Sequence, residues 1–210
     1  MKKFFVLVML GSLLLFTGCF DYVQSLTYED GKYRVYMKFT VSTLMMELAE
    51  TDSEDFFSEF NPEELEGMPE NFSMELINTD LDIGYEMGLK IHPKTQDPEE
   101  RRMLPTVSGS KFYIPFILGS QEANFASEMS SDDYDEQMMM IALFSSVKCR
   151  VMVSKKIIPQ IDLAYFEGSG GQHYSIPVFD YGDSLCLEVP FIVMMEENRY
   201  NFERIVVIKG

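Results

Sequence analysis

Two places in this chain carry the spacing of a lysine-activated serine. Ser108 with Lys111 and Ser145 with Lys148 fit S-x-x-K, in which the lysine amine takes the proton of a serine nucleophile. That chemistry needs the serine at a helix start. Ser108 instead precedes a predicted strand and Ser145 ends a predicted helix, and the companion S-D-N and K-T-G motifs are missing, as is a G-x-S-x-G elbow. Asp80, Asp82 and Gly84 resemble the alternating carboxylates of a calcium loop, but a third ligand and the closing bidentate acid are lacking, so a turn entering a strand is the better reading. His92 and His173 fall on separate predicted strands without H-x-x-x-H spacing or a cysteine partner, which argues against zinc. Gly168, Ser169, Gly170 and Gly171 lack the Lys-Ser/Thr and helix of a phosphate cradle and read as a hairpin turn. No catalytic residue, metal or cofactor is expected.

Composition narrows the classes further. With 46% hydrophobic and 24% charged residues in 210, the chain can bury a core and is neither a disordered tail nor a polytopic membrane protein. Asp and Glu number 34 against 17 Lys and Arg, a net charge of −17, and such a surface repels phosphate, so nucleic acid is not an expected partner.

The clearest functional signal lies at the start. Met1, Lys2 and Lys3 form a positive head, Phe4 to Phe16 is apolar except for Gly11 and Ser12, and Thr17, Gly18 and Cys19 follow. A helix over that apolar run would reach only about 20 Å, short of the roughly 30 Å of a hydrocarbon layer, so a secretory signal is expected and not a span. Leu15, Phe16, Thr17, Gly18 and Cys19 resemble the lipobox of bacterial lipoproteins, with Phe16 where an aliphatic residue is usual. The resemblance implies that residues 1–18 are removed and that Cys19 carries a diacylglyceryl thioether and an acylated amine. Several acyl chains hold such a protein to the membrane permanently. Phe20 stands where an Asp would retain a lipoprotein at the inner membrane, so in a host with two membranes the resemblance implies the outer one. Cleavage removes two of the 17 basic residues and no acid, leaving 15 against 34 and a body of charge −19.

Residues 19–210 read as a single α+β domain, with two lobes meeting near 119–131 as an alternative. An extended pattern starts at Tyr22, Gln24, Leu26 and Tyr28, and Asp30 with Gly31 supplies a tight hairpin turn. Tyr33, Val35, Met37, Phe39 and Val41 then alternate with polar residues, the strongest strand signal in the chain. Short helices are predicted over about 42–67, with Ser42 as the first cap and Asn61, Pro62 and Glu64 opening the last. Strands follow over 72–79 and 81–92, then a loop in which Asp97, Pro98 and Glu100 predict one capped helical turn, then an extended segment at 107–118. Ser130 and Asp133 cap a longer helix predicted over 132–146, apolar all round from Met138 to Phe144. Strands occupy the rest, at 147–153, 157–167, 173–179, 185–195 and 200–208. Proline follows Ile114, Ile158, Ile176 and Val189, which places those strands at edges or bulges and predicts a mostly antiparallel, bent or incomplete sheet.

Fourteen methionines remain after cleavage, and Met138, Met139, Ile141 and Leu143 are the candidate wall of an apolar ligand groove, against the plainer alternative of core packing. Lys148, Arg150, Lys155 and Lys156, with Arg101 and Arg102, are either a membrane-facing cluster or scattered surface charge. Cys149 and Cys186 are candidates for a disulfide in an exported protein, or for two buried thiols.

From Gly18 to about His92 the order of features resembles the LppM-type family of envelope lipoproteins. The matching elements are Gly18 with Cys19, the Asp30–Gly31 hairpin, Phe39 to Ser42 leading into helix, Leu65 to Pro69, and the strand start at Thr79 to Gly84. The resemblance implies a non-catalytic α/β lipid-binding-like domain. The expectation is a non-enzymatic, lipid-anchored cell-envelope protein that binds an apolar or amphipathic ligand near the membrane, or, as the alternative, an assembly accessory that binds another envelope protein.

Overall fold

The computed structural model describes residues 20–48, 70–118, 145, 147–194 and 199–210. Twelve strands run in chain order as β1 (Phe20–Glu29), β2 (Lys32–Ser42), β3 (Phe72–Asn78), β4 (Asp82–Ile91), β5 (Thr106–Ser108), β6 (Lys111–Pro115), β7 (Lys148–Ser154), β8 (Ile161–Gly168), β9 (His173–Ile176), β10 (Val178–Tyr181), β11 (Ser184–Pro190) and β12 (Tyr200–Lys209). Among the described residues three short α-helices, α1 (Thr43–Leu48), α2 (Pro98–Arg102) and α3 (Phe191–Met194), and one 3-10 turn at Ser169–Gly171 accompany them.

The strands form two sheets, one of seven in the order β10-β11-β7-β1-β2-β4-β3 and one of five in the order β5-β6-β12-β8-β9. All pairings are antiparallel except β1 with β7. The α+β expectation with a single incomplete sheet is therefore overturned. Among the described residues the fold is mostly β, and its helices are short. The predicted longer helix at 132–146 falls outside the described residues except Ser145, as do the predicted helices at 53–67 and the 119–131 segment. Each sheet draws strands from both sides of 119–131.

Alternation explains the faces. Tyr22, Gln24 and Leu26 on β1 point the same way as their partners Cys149, Val151 and Val153 on β7, and all six are fully buried. The five-stranded sheet meets that face with Ile114, Phe166, Phe202, Ile205 and Val207, and the two contribute to one hydrophobic cluster. Rings continue the contact, from Tyr22 to Phe116 at 5.9 Å, Phe116 to Phe166 at 5.8 Å and Phe166 to Phe202 at 5.0 Å.

Two local predictions are met in detail. Asp30 (φ 52°) and Gly31 (φ 76°) close a two-residue hairpin between Glu29 and Lys32, because both central positions of that turn need positive φ. Asp97 caps α2, its carboxylate accepting from the Glu99 and Glu100 amides at 2.8 and 3.3 Å. The edge expectation holds at Pro177, which lies between the two edge strands β9 and β10, and fails at Pro115 and Pro190. Pro115 and Pro190 end interior strands, Pro159 precedes β8, and Pro177 sits between β9 and β10 where the chain leaves one sheet for the other. A residue that cannot donate to a ladder terminates strands here, and where it sits between edge strands it turns the corner.

Candidate functional site

A groove of about 470 Å³ opens on the surface between α2, the end of β6 and β12. Met103, Pro115, Phe116 and Ile117 supply its apolar lining, and Glu99, Arg102, Glu203 and Arg204 its charged groups. Two acids face two guanidinium groups, so the charged lining is formally neutral in a protein of net charge −17.

Three sets of bonds position these side chains. The Asp97 cap fixes α2, and Asn71 holds it from the side by donating to Glu100 at 2.7 Å. Arg102 pairs with Glu99 at 3.3 Å along the helix. Arg204, on β12, donates to the Arg102 carbonyl (3.2 Å), the Leu104 carbonyl (3.5 Å) and the Thr106 hydroxyl (3.3 Å), stitching the strand to the chain leaving α2. A guanidinium has five N–H donors, so part of the fork stays unused by these contacts. The groove lining is secured from behind. Fully buried Gln24 donates to the Pro115 carbonyl at 2.6 Å and accepts from the Ile117 amide at 3.0 Å and from Tyr22 at 3.0 Å. Tyr22 in turn accepts from the Leu118 amide at 3.3 Å, and burial, with Cys149 adding, pushes its phenol pKa far up so that it stays neutral. Chemically, the groove offers apolar contact beside a partly engaged guanidinium.

The residues singled out from sequence disperse. Cys19 and the candidate wall Met138, Met139, Ile141 and Leu143 lie outside the described residues. Cys149 and Cys186 are both buried. Their strands are adjacent, but Cys149 pairs with Val189 and Cys186 with Met152, which sets the two on opposite faces of the sheet, so a bridge between them is ruled out. Three of the basic residues are engaged by acids: Lys148 pairs with Glu188 (2.8 Å), Arg150 with Asp21 (3.7 Å) and Lys155 with Asp180 (2.7 Å). That last bond holds the Asp180 carboxyl below its usual pKa.

The motif residues have other occupations. Ser108 and Lys111 face each other across a hairpin, but the Lys111 amine bonds Glu167 at 2.7 Å, and this bond, with Tyr165 adding, raises its pKa and keeps it charged. A base needs the neutral amine. His92 accepts from the Lys94 amide at 3.1 Å, and the His173 ring lies 4.2 Å from that of Tyr165. Asp80 and Asp82 flank a turn in which the Thr79 hydroxyl accepts from the Leu81 and Asp82 amides. Among the described residues no three of His, Cys, Asp and Glu gather as metal ligands, and no helix is long and apolar enough to cross a membrane.

Sequence reasoning missed the groove. A signal existed for its support, since Gln24 is a polar residue on the face shared by Tyr22 and Leu26. Arg204 gave none, because β12 meets α2 only in three dimensions. No known protein family, curated protein or solved structure matches this chain.

Proposed function

We propose that this is a non-enzymatic, lipid-anchored protein of the cell envelope, held by Cys19, whose body binds an amphipathic ligand in the groove between α2 and β12. In a host with two membranes the proposed site is the outer one. The observation that carries the ligand reading is the groove lining: Met103, Pro115 and Ile117 offer apolar contact beside Arg102 and Arg204. Between the sheets, Phe116, Phe166, Ile114 and Leu187 are fully buried. Carriage of an amphiphile is tested by native mass spectrometry of the full chain released from membranes. Wild type is expected to retain an amphiphile and Met103→Glu to lose it, with Met103→Leu as the folded control. A wild type that never carries one overturns the ligand reading.

A second reading, an assembly accessory for another envelope protein, has its own support. Strands β3 and β10 end the seven-stranded sheet, and Leu76, Phe179 and Tyr181 on them are exposed. Such edges accept an added strand. Substituting Lys for Phe179 in the full chain is expected to abolish cross-linking to a protein partner under this reading and to leave amphiphile carriage intact.

A further inference from the structure

The first strand leaves no slack behind a membrane anchor. Phe20 already pairs with Val41, and its ring packs against Phe39 at 4.8 Å and Phe191 at 5.2 Å. Residue 19 is one peptide further, about 3.8 Å between Cα atoms. An anchor there has no tether, so the bilayer surface lies against this end of the sheet.

The same end carries apolar surface that folding does not use. Phe20, Val41, Ile83 and Asn78 form one row across β1, β2, β4 and β3, which spans about 14 Å at the usual strand spacing. The β3–β4 turn and the start of α1 project beyond that row. Leu81 in the turn is 74% exposed and Leu44 in α1 is 45% exposed. Thr43 locks the two together: its amide donates to the Leu81 carbonyl at 2.9 Å and its hydroxyl to the Asp80 carbonyl at 3.0 Å. Tight turns ordinarily hold polar residues, and a leucine presented to solvent in one gains nothing from the core. Asp80 and Asp82 flank Leu81, so anionic headgroups would be repelled and a zwitterionic interface suits the surface.

We propose that the sheet end bearing Phe20, Leu44 and Leu81 is a second, non-covalent membrane contact, with the leucines in the headgroup region of a zwitterionic bilayer; this rests on the reading that Cys19 is lipidated. The contact holds the sheets upright on the membrane and fixes the direction in which the groove opens.

The test uses the full lipidated chain in phosphatidylcholine vesicles. A fluorophore is attached at Leu81→Cys or, as a control beyond the opposite end of β4, at Lys94→Cys; the native thiols Cys149 and Cys186 are buried and escape labelling. Quenching by a phospholipid with a nitroxide near its headgroup is expected to be several-fold stronger at position 81 than at 94. Equal, weak quenching at both positions while the chain floats with the vesicles would overturn the contact and leave the anchor standing. A chain that does not float overturns the anchor, and the contact with it.

Discussion

Gln24 on β1 and Pro115 at the end of β6 are joined through the core, the Gln24 amide donating to the Pro115 carbonyl at 2.6 Å. The bond ties the centre of the seven-stranded sheet to the five-stranded one. It also holds the chain at 115–117, which lines the groove, since the same side chain accepts from the Ile117 amide.

Replacing Gln24 with Met keeps its length and removes every bond. The Ile117 amide and the Pro115 carbonyl lose their partner, at about 1–3 kcal/mol for each buried group left unsatisfied. Chemical denaturation is expected to show a loss of about 3 kcal/mol or more. A loss below about 1 kcal/mol would mean that water replaces the side chain.

Gly84→Ala is expected to destabilise through a backbone collision. A Cβ at Gly84 would stand 2.0 Å from the Phe39 carbonyl oxygen, and neither β2 nor β4 can yield without disturbing the ladder in which Thr40 faces Gly84. Overpacking of this kind costs about 1–3 kcal/mol. A melting temperature equal to wild type would show that the strands separate freely there, and would place Gly84 outside the structural requirement.

Alkaline stability follows Tyr36. Burial, then its 2.7 Å bond to Glu86, pushes the phenol pKa up to about 12 from its ordinary 10. Between those pH values the folded protein keeps a proton that the unfolded chain has lost. Stability therefore falls as pH rises from about 10 to about 12 and is untouched by this group below that window. Tyr22, Tyr33 and Tyr85 shift the same way through burial, so the decline is shared. Tyr36→Phe is expected to make it shallower in denaturation curves taken across the window, and an unchanged slope would reject the assignment.

Thiol counting checks the cysteine geometry. Cys149 and Cys186 should both react in denaturant without reductant, and neither should react quickly in the folded protein, where burial raises the Cys186 thiol pKa further. Absence of reactive thiols in denaturant would require a bridge between opposite faces of the sheet.

What the sequence determined by itself is local. Asp30 and Gly31 closed the first hairpin, Asp97 and Pro98 opened α2, and alternation in β1 and β2 assigned side chains to faces, because backbone angles, caps and a period of two depend only on neighbours along the chain. Only the tertiary structure decided which strands meet. Alternation tells that Tyr22 and Cys149 each face a core and cannot tell that β1 lies parallel to β7, since a strand edge bonds any compatible partner. For the same reason the prolines read as edge signals, which holds for Pro177 between the edge strands β9 and β10, whereas Pro115 and Pro190 end interior strands. The groove belongs wholly to this second level. Glu99 and Arg204 are more than a hundred residues apart, and nothing near either one records that packing of the two sheets brings α2 against β12.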